Sequence, residues 1–462
     1  MILSRAICKT KVAEVLVAQS VRLTRRMVGV FRARLPETAL DKVHDPRKQR
    51  GQRWKRLGIL LKAAVVGIMA GCKGLAEVEA LTAEMSPPMR GMLGIKRRIP
   101  DTTLRTILTR LDPKDLRSCL HIQTRLAHRR KALAPVGLPF GVVAIDGKTT
   151  ALLDWDRARA QRKGWSRWNA LYAQRQAQEK TGTSCRLVRT MTCSLVSAAA
   201  KACIDAVPIP ARTNEMGHFQ SVLSGLVRNY RRSGLFQVVS TDAGSCSEAN
   251  GRAVVETHKL HYLFRLKADQ PTLLAEAKRL LGRLRPEEAE AETVDVVGRT
   301  TVTRRLHRSS EMAGYLAWDH LQTAIRIRSE KHDIETGELL EAEDHYAISS
   351  LPSETLSAAQ WLLLFRLHWG VENQCHNTWD TAFQEDNKPW IETDPKGMVV
   401  VLLLRRIAYN MMALFRSVTQ RSEEKRRTPW KTLIRWTYNA LVAATAVDIE
   451  GLRVREAATA GT

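Results

Sequence analysis

Two apolar segments that each end on an aspartate constrain the fold of this chain most. Residues 141–145 run into Asp146, and residues 235–241 run into Asp242. Short runs rich in valine and isoleucine are typical of strands that are buried on both faces. An aspartate that merely ends a strand at a turn is common, so Asp146 alone would indicate no site. The repeated arrangement favours two buried strands that each deliver a carboxylate to one edge of a sheet.

The order of elements around these segments indicates an α/β fold. Three strands, a helix, a strand, a helix, a strand and a helix follow one another at residues 141–146, 187–197, 203–209, 215–232, 235–242, 248–258, 261–267 and from 271 onwards. This is the order of an RNase H-like mixed sheet, in which the first and fourth strands lie side by side. We therefore expect Asp146 and Asp242 to meet at one end of the sheet.

Changes in composition and periodicity divide the chain into regions. A small helical domain precedes the sheet, and a β-rich insertion at about 286–350 precedes a long helix over 357–383. A Trp- and Arg-rich segment, residues 151–185, interrupts the α/β pattern. The predicted regions are a basic arm at 1–39, a helical DNA-binding or associated domain at 40–135, the RNase H-like domain at 138–420 and a basic helical tail at 421–462.

The large positive charge indicates a polyanionic partner. The 462 residues carry a formal net charge of +26, and the basic residues recur along the whole chain, which favours nucleic acid over a membrane surface. The apolar runs 59–71 and 398–404 are too short to span a bilayer. Eight cysteines without a Cys-x-x-Cys pair indicate reduced thiols. We expect a cytoplasmic protein that joins the bacterial nucleoid when it is bound to DNA.

Acids from two adjacent strands and one helix permit metal-assisted phosphoryl transfer. Carboxylate oxygens can hold two Mg²⁺ ions, and such a pair assists an in-line displacement at phosphorus. Spacing alone leaves the helical acid open between Glu372 and a group formed by Asp380, Glu385 and Asp386. A zinc site with His368 and His376 is a weaker alternative, because no cysteine or third histidine lies nearby in the sequence.

Several motifs resemble those of DDE-type insertion-sequence transposases, specifically the branch of the H-repeat-associated proteins. The resemblance extends over about 40–415, and its most specific motif is His368-Trp369-Gly370-Val371-Glu372-Asn373. The other motifs are, in chain order, Asp45-Pro46-Arg47, Pro100-Asp101-Thr102-Thr103, Leu111-Asp112-Pro113, Ala144-Ile145-Asp146-Gly147-Lys148-Thr149, Asn214-Glu215, Asp242-Ala243, Leu266-Lys267-Ala268-Asp269-Gln270-Pro271 and Tyr346-Ala347-Ile348-Ser349-Ser350-Leu351.

The resemblance implies that Asp146, Asp242 and Glu372 form the catalytic and metal-binding triad. It implies two Mg²⁺ ions, replaceable by Mn²⁺, and cut-and-paste cleavage and strand transfer at terminal inverted repeats and target DNA. Because two DNA ends must be paired, we expect a homodimer on double-stranded DNA. Residues assigned to DNA binding are Lys148, Lys267, His368, Asn373, His376, Arg405 and Arg406.

Two other functions are compatible with the same residues. One is a catalytically inactive or repressor-like derivative that binds the same DNA ends. The other is an RNase H-like nuclease with a cellular role, which would lack strand transfer. Cleavage and strand-transfer assays distinguish the three.

Overall fold

One mixed sheet organises the protein. The computed structural model describes residues 21–48, 56–152, 166–177 and 184–450. The strands run across the sheet in the order β2-β3-β1-β5-β6-β10-β9-β8-β7, with β4 paired to β3. Their bounds are β1 Val142–Leu152, β2 Ala173–Ala177, β3 Ser184–Leu195, β4 Cys203–Pro208, β5 Val238–Thr241, β6 His261–Leu266, β7 Ala291–Val297, β8 Thr300–Ser309, β9 Thr323–Asp333 and β10 Leu339–Ser349.

Helices cover this sheet and form the N-terminal region. The first, α1, spans residues 21–34. The others are α2 Leu57–Met69, α3 Leu75–Glu84, α4 Pro87–Leu93, α5 Asp101–Leu108, α6 Pro113–Arg129, α7 Arg167–Tyr172, α8 Glu215–Tyr230, α9 Glu248–Arg252, α10 Pro271–Leu281, α11 Ala358–Gly370, α12 Asn377–Thr381, α13 Pro395–Leu414, α14 Glu423–Arg426 and α15 Trp430–Ala443.

The predicted adjacency of the first and fourth predicted strands is confirmed. Strand β1 pairs in parallel with β5, in register from Val142 opposite Val238 to Ile145 opposite Thr241. The apolar residues Val142–Ile145 of β1, and Val238 and Val239 of β5, are buried, as expected for strands covered on two faces. The mixed α/β architecture with an N-terminal helical region is thus the RNase H-like fold that the sequence predicts.

Strand β1 is longer than predicted, because it does not end at Asp146. Its parallel pairing with β5 stops at Ile145, but its antiparallel pairing with β3 continues as far as Leu152. The hydrogen bonds of this second ladder keep the polar residues after Asp146 extended. Asp146 therefore lies where one ladder ends and the other goes on. Of the Trp- and Arg-rich segment, Trp155 and Trp165 lie outside the described residues.

The β-rich insertion extends the main sheet. Strand β10 pairs antiparallel with both β6 and β9, and β9, β8 and β7 follow outward. The inner halves of β9 and β10 are buried, whereas the valines of β7 are exposed. The insertion thus begins as part of the core and ends as a solvent-exposed edge.

Helix α13 joins the N-terminal helices to the sheet. It is buried on all sides, as is typical of a helix in the core of a large protein, and it packs against α2, α6 and β4. The segment Pro395–Thr419 is long and apolar enough to cross a membrane, but its apolar window is completely buried inside the protein. A bidentate ion pair from Arg117 on α6 to Asp205 on β4, at 2.7 and 2.8 Å, adds a polar connection.

Candidate active site

Asp146 and Asp242 lie at the same edge of the sheet. Each follows directly on the last residue of the parallel β1–β5 pairing. After Asp242 the chain turns at once into a 3₁₀ helix, Ala243–Ser245. Both aspartates are partly buried. Because each one directly follows a paired strand residue, the sheet fixes its backbone position.

Glu372 comes to this edge on a helix with locally widened turns. The predicted helix 357–383 is nearly continuous as α11, a π-helical segment Val371–His376, and α12. Such π segments are often found at functional sites, because the extra residue redirects the side chains that follow. Glu372 is the second residue of the segment and its side chain is exposed.

The electrostatics of Asp146 show that the predicted acids are neighbours. Burial, followed by the negative charges of Glu372, Asp242 and Glu215 in that order of importance, raises the pKa of Asp146 from 3.8 to about 7. Like charges close together disfavour the ionised form of each other. The structure therefore brings Asp146, Asp242 and Glu372 together, and it adds a fourth acid.

Glu215 is the residue that the sequence analysis did not assign to the site. It is the first residue of α8, after Asn214, whose side chain caps the helix by accepting from the backbone N–H of Gly217. Burial and the charge of Asp242 raise the pKa of Glu215. Its motif, Asn214-Glu215, was noted in the sequence, but its distance along the chain from Asp146 gave no sign that the two would meet.

His376 contacts Asp146 without supplying a positive charge. Its Nδ1 lies 3.5 Å from Oδ2 of Asp146, and its Nε2 lies 2.9 Å from the hydroxyl of Thr192. That hydroxyl donates to the backbone carbonyl of Asp146, so Nε2 is the protonated nitrogen and Nδ1 is not. Burial lowers the pKa of His376 to about 3, which keeps the ring neutral.

The other acids considered for the helical position are already paired with basic side chains. Ligand atoms of Asp380, Glu385 and Asp386 lie within 4.8 Å of one another. Lys148 donates to Asp380 at 2.8 and 2.9 Å and to Asp386 at 3.2 Å. Glu385 pairs with Arg406. This group is more tightly spaced than the acids around Asp146, but its charge is largely neutralised by the protein.

Four of the seven residues assigned to DNA binding, Lys148, His368, Arg405 and Arg406, are buried, and their assignment stays a prediction. The side chains of Arg405 and Arg406 lie inside the protein, and His368 is buried with its Nδ1 2.9 Å from the hydroxyl of Ser240. Arg405 and Arg406 lie on α13, and the tertiary packing of this helix turns both side chains inward.

The other three residues assigned to DNA binding are more accessible. Lys267 and Asn373 are exposed, and His376 is partly buried beside Asp146. The buried Lys148 donates to the partly buried Asp380. A further basic residue, Arg265 on β6, lies beside the site. Burial lowers the pKa of Arg265, and the nearby negative charges of Glu372 and Asp242 oppose this lowering. Arg265 packs over Trp369, 4.8 Å from the ring centre.

We expect the stability of the metal-free protein to report the burial of Asp146. Between pH 4 and 7 the folded protein retains a proton that the unfolded chain has lost, because the pKa of Asp146 rises from 3.8 to about 7 on folding. This contribution to the free energy of unfolding therefore decreases as the pH rises through that window.

The substitution Asp146→Asn removes the ionisable group. In EDTA at pH 8 the variant should be more stable than the wild type, by up to about 4 kcal/mol, whereas at pH 4 the two should be nearly equal. Urea denaturation at both pH values measures the difference. A difference that is the same at pH 4 and pH 8 would contradict the assigned proton.

Two protein families match this chain. A family described as Transposase DDE domain matches residues 145–411, and one described as DDE_Tnp_1-associated matches residues 38–122. No protein of curated function gives a significant match. These matches do not distinguish branches, so membership of the H-repeat-associated branch stays a prediction. Because the first match covers more than half of the chain, the chain belongs to the family of DDE transposases.

Proposed function

We propose that this transposase cuts DNA at the ends of an insertion sequence and joins the freed 3′ ends to target DNA by a cut-and-paste route. The observation that carries the proposal is the convergence of Asp146, Asp242 and Glu372 at one sheet edge, where the charges of Glu372 and Asp242 act on Asp146. The family implies phosphodiester cleavage and transesterification. These three acids are proposed as its catalytic residues here.

The donor set fits hard divalent cations. All of its candidate ligands are carboxylate oxygens, the donors that Mg²⁺ and Mn²⁺ prefer. Asp146 has three acids near it and contacts a neutral histidine, so the described residues provide little positive charge for it. We propose that Asp146, Asp242 and Glu372 hold two Mg²⁺ ions, for which Mn²⁺ can substitute.

The side chains around the site hold and orient the reacting groups. When bound, the two ions supply charge neutralisation for the attacking and leaving oxygens of an in-line displacement. Asp146 loses its proton when it takes up its role as a ligand. His376 holds its neutral ring beside Oδ2 of Asp146 and is itself held by Thr192. No side chain needs to form a covalent intermediate with DNA.

An exposed lysine and a partly buried arginine at the end of β6 support the binding of a DNA backbone. Lys267 follows β6, and Arg265 lies on the same strand close to Glu372. A cleft of about 840 Å³ at the far end of α8 is also rich in arginine, and its lining includes Arg125, Arg129, Arg228, Arg231 and Arg232. Phosphate contacts of this kind position a duplex without reading its sequence.

The assembly on DNA follows from the chemistry. Both ends of an element must be cut and joined to one target, and one such site acts on one end at a time. We therefore propose a homodimer that pairs the two terminal inverted repeats. Light scattering of the protein with and without DNA ends measures this change in mass.

A cleavage assay on DNA that carries the ends of the element tests the proposal. With Mg²⁺ or Mn²⁺ we expect strand breaks at those ends and, in the presence of target DNA, products joined through a 3′ hydroxyl. EDTA should abolish both. Binding of the ends without cleavage in either metal would favour the inactive, repressor-like alternative, and cleavage without joining would favour a nuclease.

A further inference from the structure

Glu215 lies against the backbone of the residue that follows Asp146. A Cβ atom placed on Gly147 would overlap the carboxyl group of Glu215. A glycine here leaves just the space that this carboxyl group occupies. The contact places the Glu215 carboxyl group beside Gly147, the residue that follows Asp146, although Glu215 and Asp146 are far apart in sequence.

The backbone around Glu215 directs this side chain to the site. Asn214 caps α8, and Glu215 follows as its first residue. An acid in the first turn also interacts favourably with the helix dipole. Arg189 lies on β3, the strand that pairs with β1. It donates at 2.6 Å to the backbone carbonyl of Thr213 and so holds the loop that leads into α8.

The Glu215 carboxylate has no basic partner among the residues that the structure describes. Among the described residues, its carboxylate forms no hydrogen bond and no ion pair within 4.0 Å. Arg189 acts on it only as a more distant charge, weaker than the opposing effects of burial and Asp242. A half-buried acid beside two other acids is unfavourable unless a cation joins them.

We infer that Glu215 is a fourth carboxylate of the divalent-cation site formed by Asp146, Asp242 and Glu372. The inference rests on the proposed function, since it concerns ions held at the same site. Four carboxylates balance the charge of two divalent cations without help from a DNA phosphate. The protein should therefore bind divalent ions before DNA arrives, and Glu215 should contribute to that affinity.

Calorimetric titration of the full-length chain with MnCl₂, in the absence of DNA, tests the role of Glu215. We expect Glu215→Gln to weaken Mn²⁺ binding at least about tenfold. Gly147→Ala should have a similar effect, because its methyl group would take the place of the Glu215 carboxyl group and push that flexible side chain aside. Glu287→Gln, the same change at an exposed glutamate, is the matched control and should bind as the wild type does.

The variants also separate this inference from the proposed function. If Glu215→Gln binds Mn²⁺ with wild-type affinity while Asp146→Asn does not, the fourth ligand is disproved and the triad is supported. If Asp146→Asn also binds with wild-type affinity, the cation site itself is disproved. Circular dichroism of each variant, compared with Glu287→Gln, shows whether a loss of binding comes from loss of fold.

Discussion

Replacing Asp146 by asparagine is expected to reduce DNA strand cleavage by roughly a thousandfold or more, with little effect on DNA binding. Residues that act as one catalytic unit show losses of this size when any one is removed. Asparagine keeps the shape of the side chain but cannot supply a full negative charge to a cation. Asp242→Asn and Glu372→Gln should show losses of the same order. Gel-based cleavage of labelled ends and filter binding of the same DNA measure the two effects separately.

The matched control for these variants lies in the neighbouring acidic group. Asp386→Asn removes the same charge from a residue that is paired with Lys148, which it shares with Asp380, so cleavage should change by only a few fold. The opposite result, with Asp386→Asn inactive and Glu372→Gln active, would move the third acid from the π-helical segment to the group around Lys148. The sequence left these two possibilities open.

The position of two of the acids could be predicted because it depends on local sequence. An apolar run that ends on an aspartate defines a buried strand and its terminal carboxylate, and the order of strands and helices then implies which strands are adjacent. The parallel pairing of β1 with β5 confirms that adjacency. Glu372 could be proposed only from a motif, since an acid on a helix has no strand end to mark it.

Other features of the site depend on contacts between distant parts of the chain. The approach of Glu215 to Gly147 joins the start of α8 to β1, and no periodicity in either segment records it. Likewise, a count of charges cannot distinguish Arg406, which is buried, from Lys267, which is exposed. Both are basic residues next to apolar segments. The difference in their exposure arises because α13, which carries Arg406, packs inside the protein.

The pair of Arg406 and Glu385 is expected to be the most sensitive polar contact in the core. Arg406 on α13 is completely buried and donates two hydrogen bonds to Glu385, at 2.6 and 2.7 Å. Its guanidinium also packs on Trp379 of α12, 3.4 Å from the ring centre. Burial opposes ionisation of Glu385, but the charge of Arg406 keeps the pKa of that acid below its usual value.

Arg406→Met should therefore lower the free energy of unfolding by about 3–5 kcal/mol, the usual cost of leaving one member of a buried ion pair without its partner. Urea denaturation at pH 7 measures the loss, and Arg435→Met, at an exposed position of α15, should stay within about 0.5 kcal/mol of the wild type.

The double variant Arg406→Met/Glu385→Gln should recover part of the loss, because it also removes the unpaired charge. A single-variant loss below about 1 kcal/mol would show that water or another cation reaches Glu385. Since α12 continues from the segment that carries Glu372, loosening this pair should also reduce cleavage, in a protein whose acids are all intact.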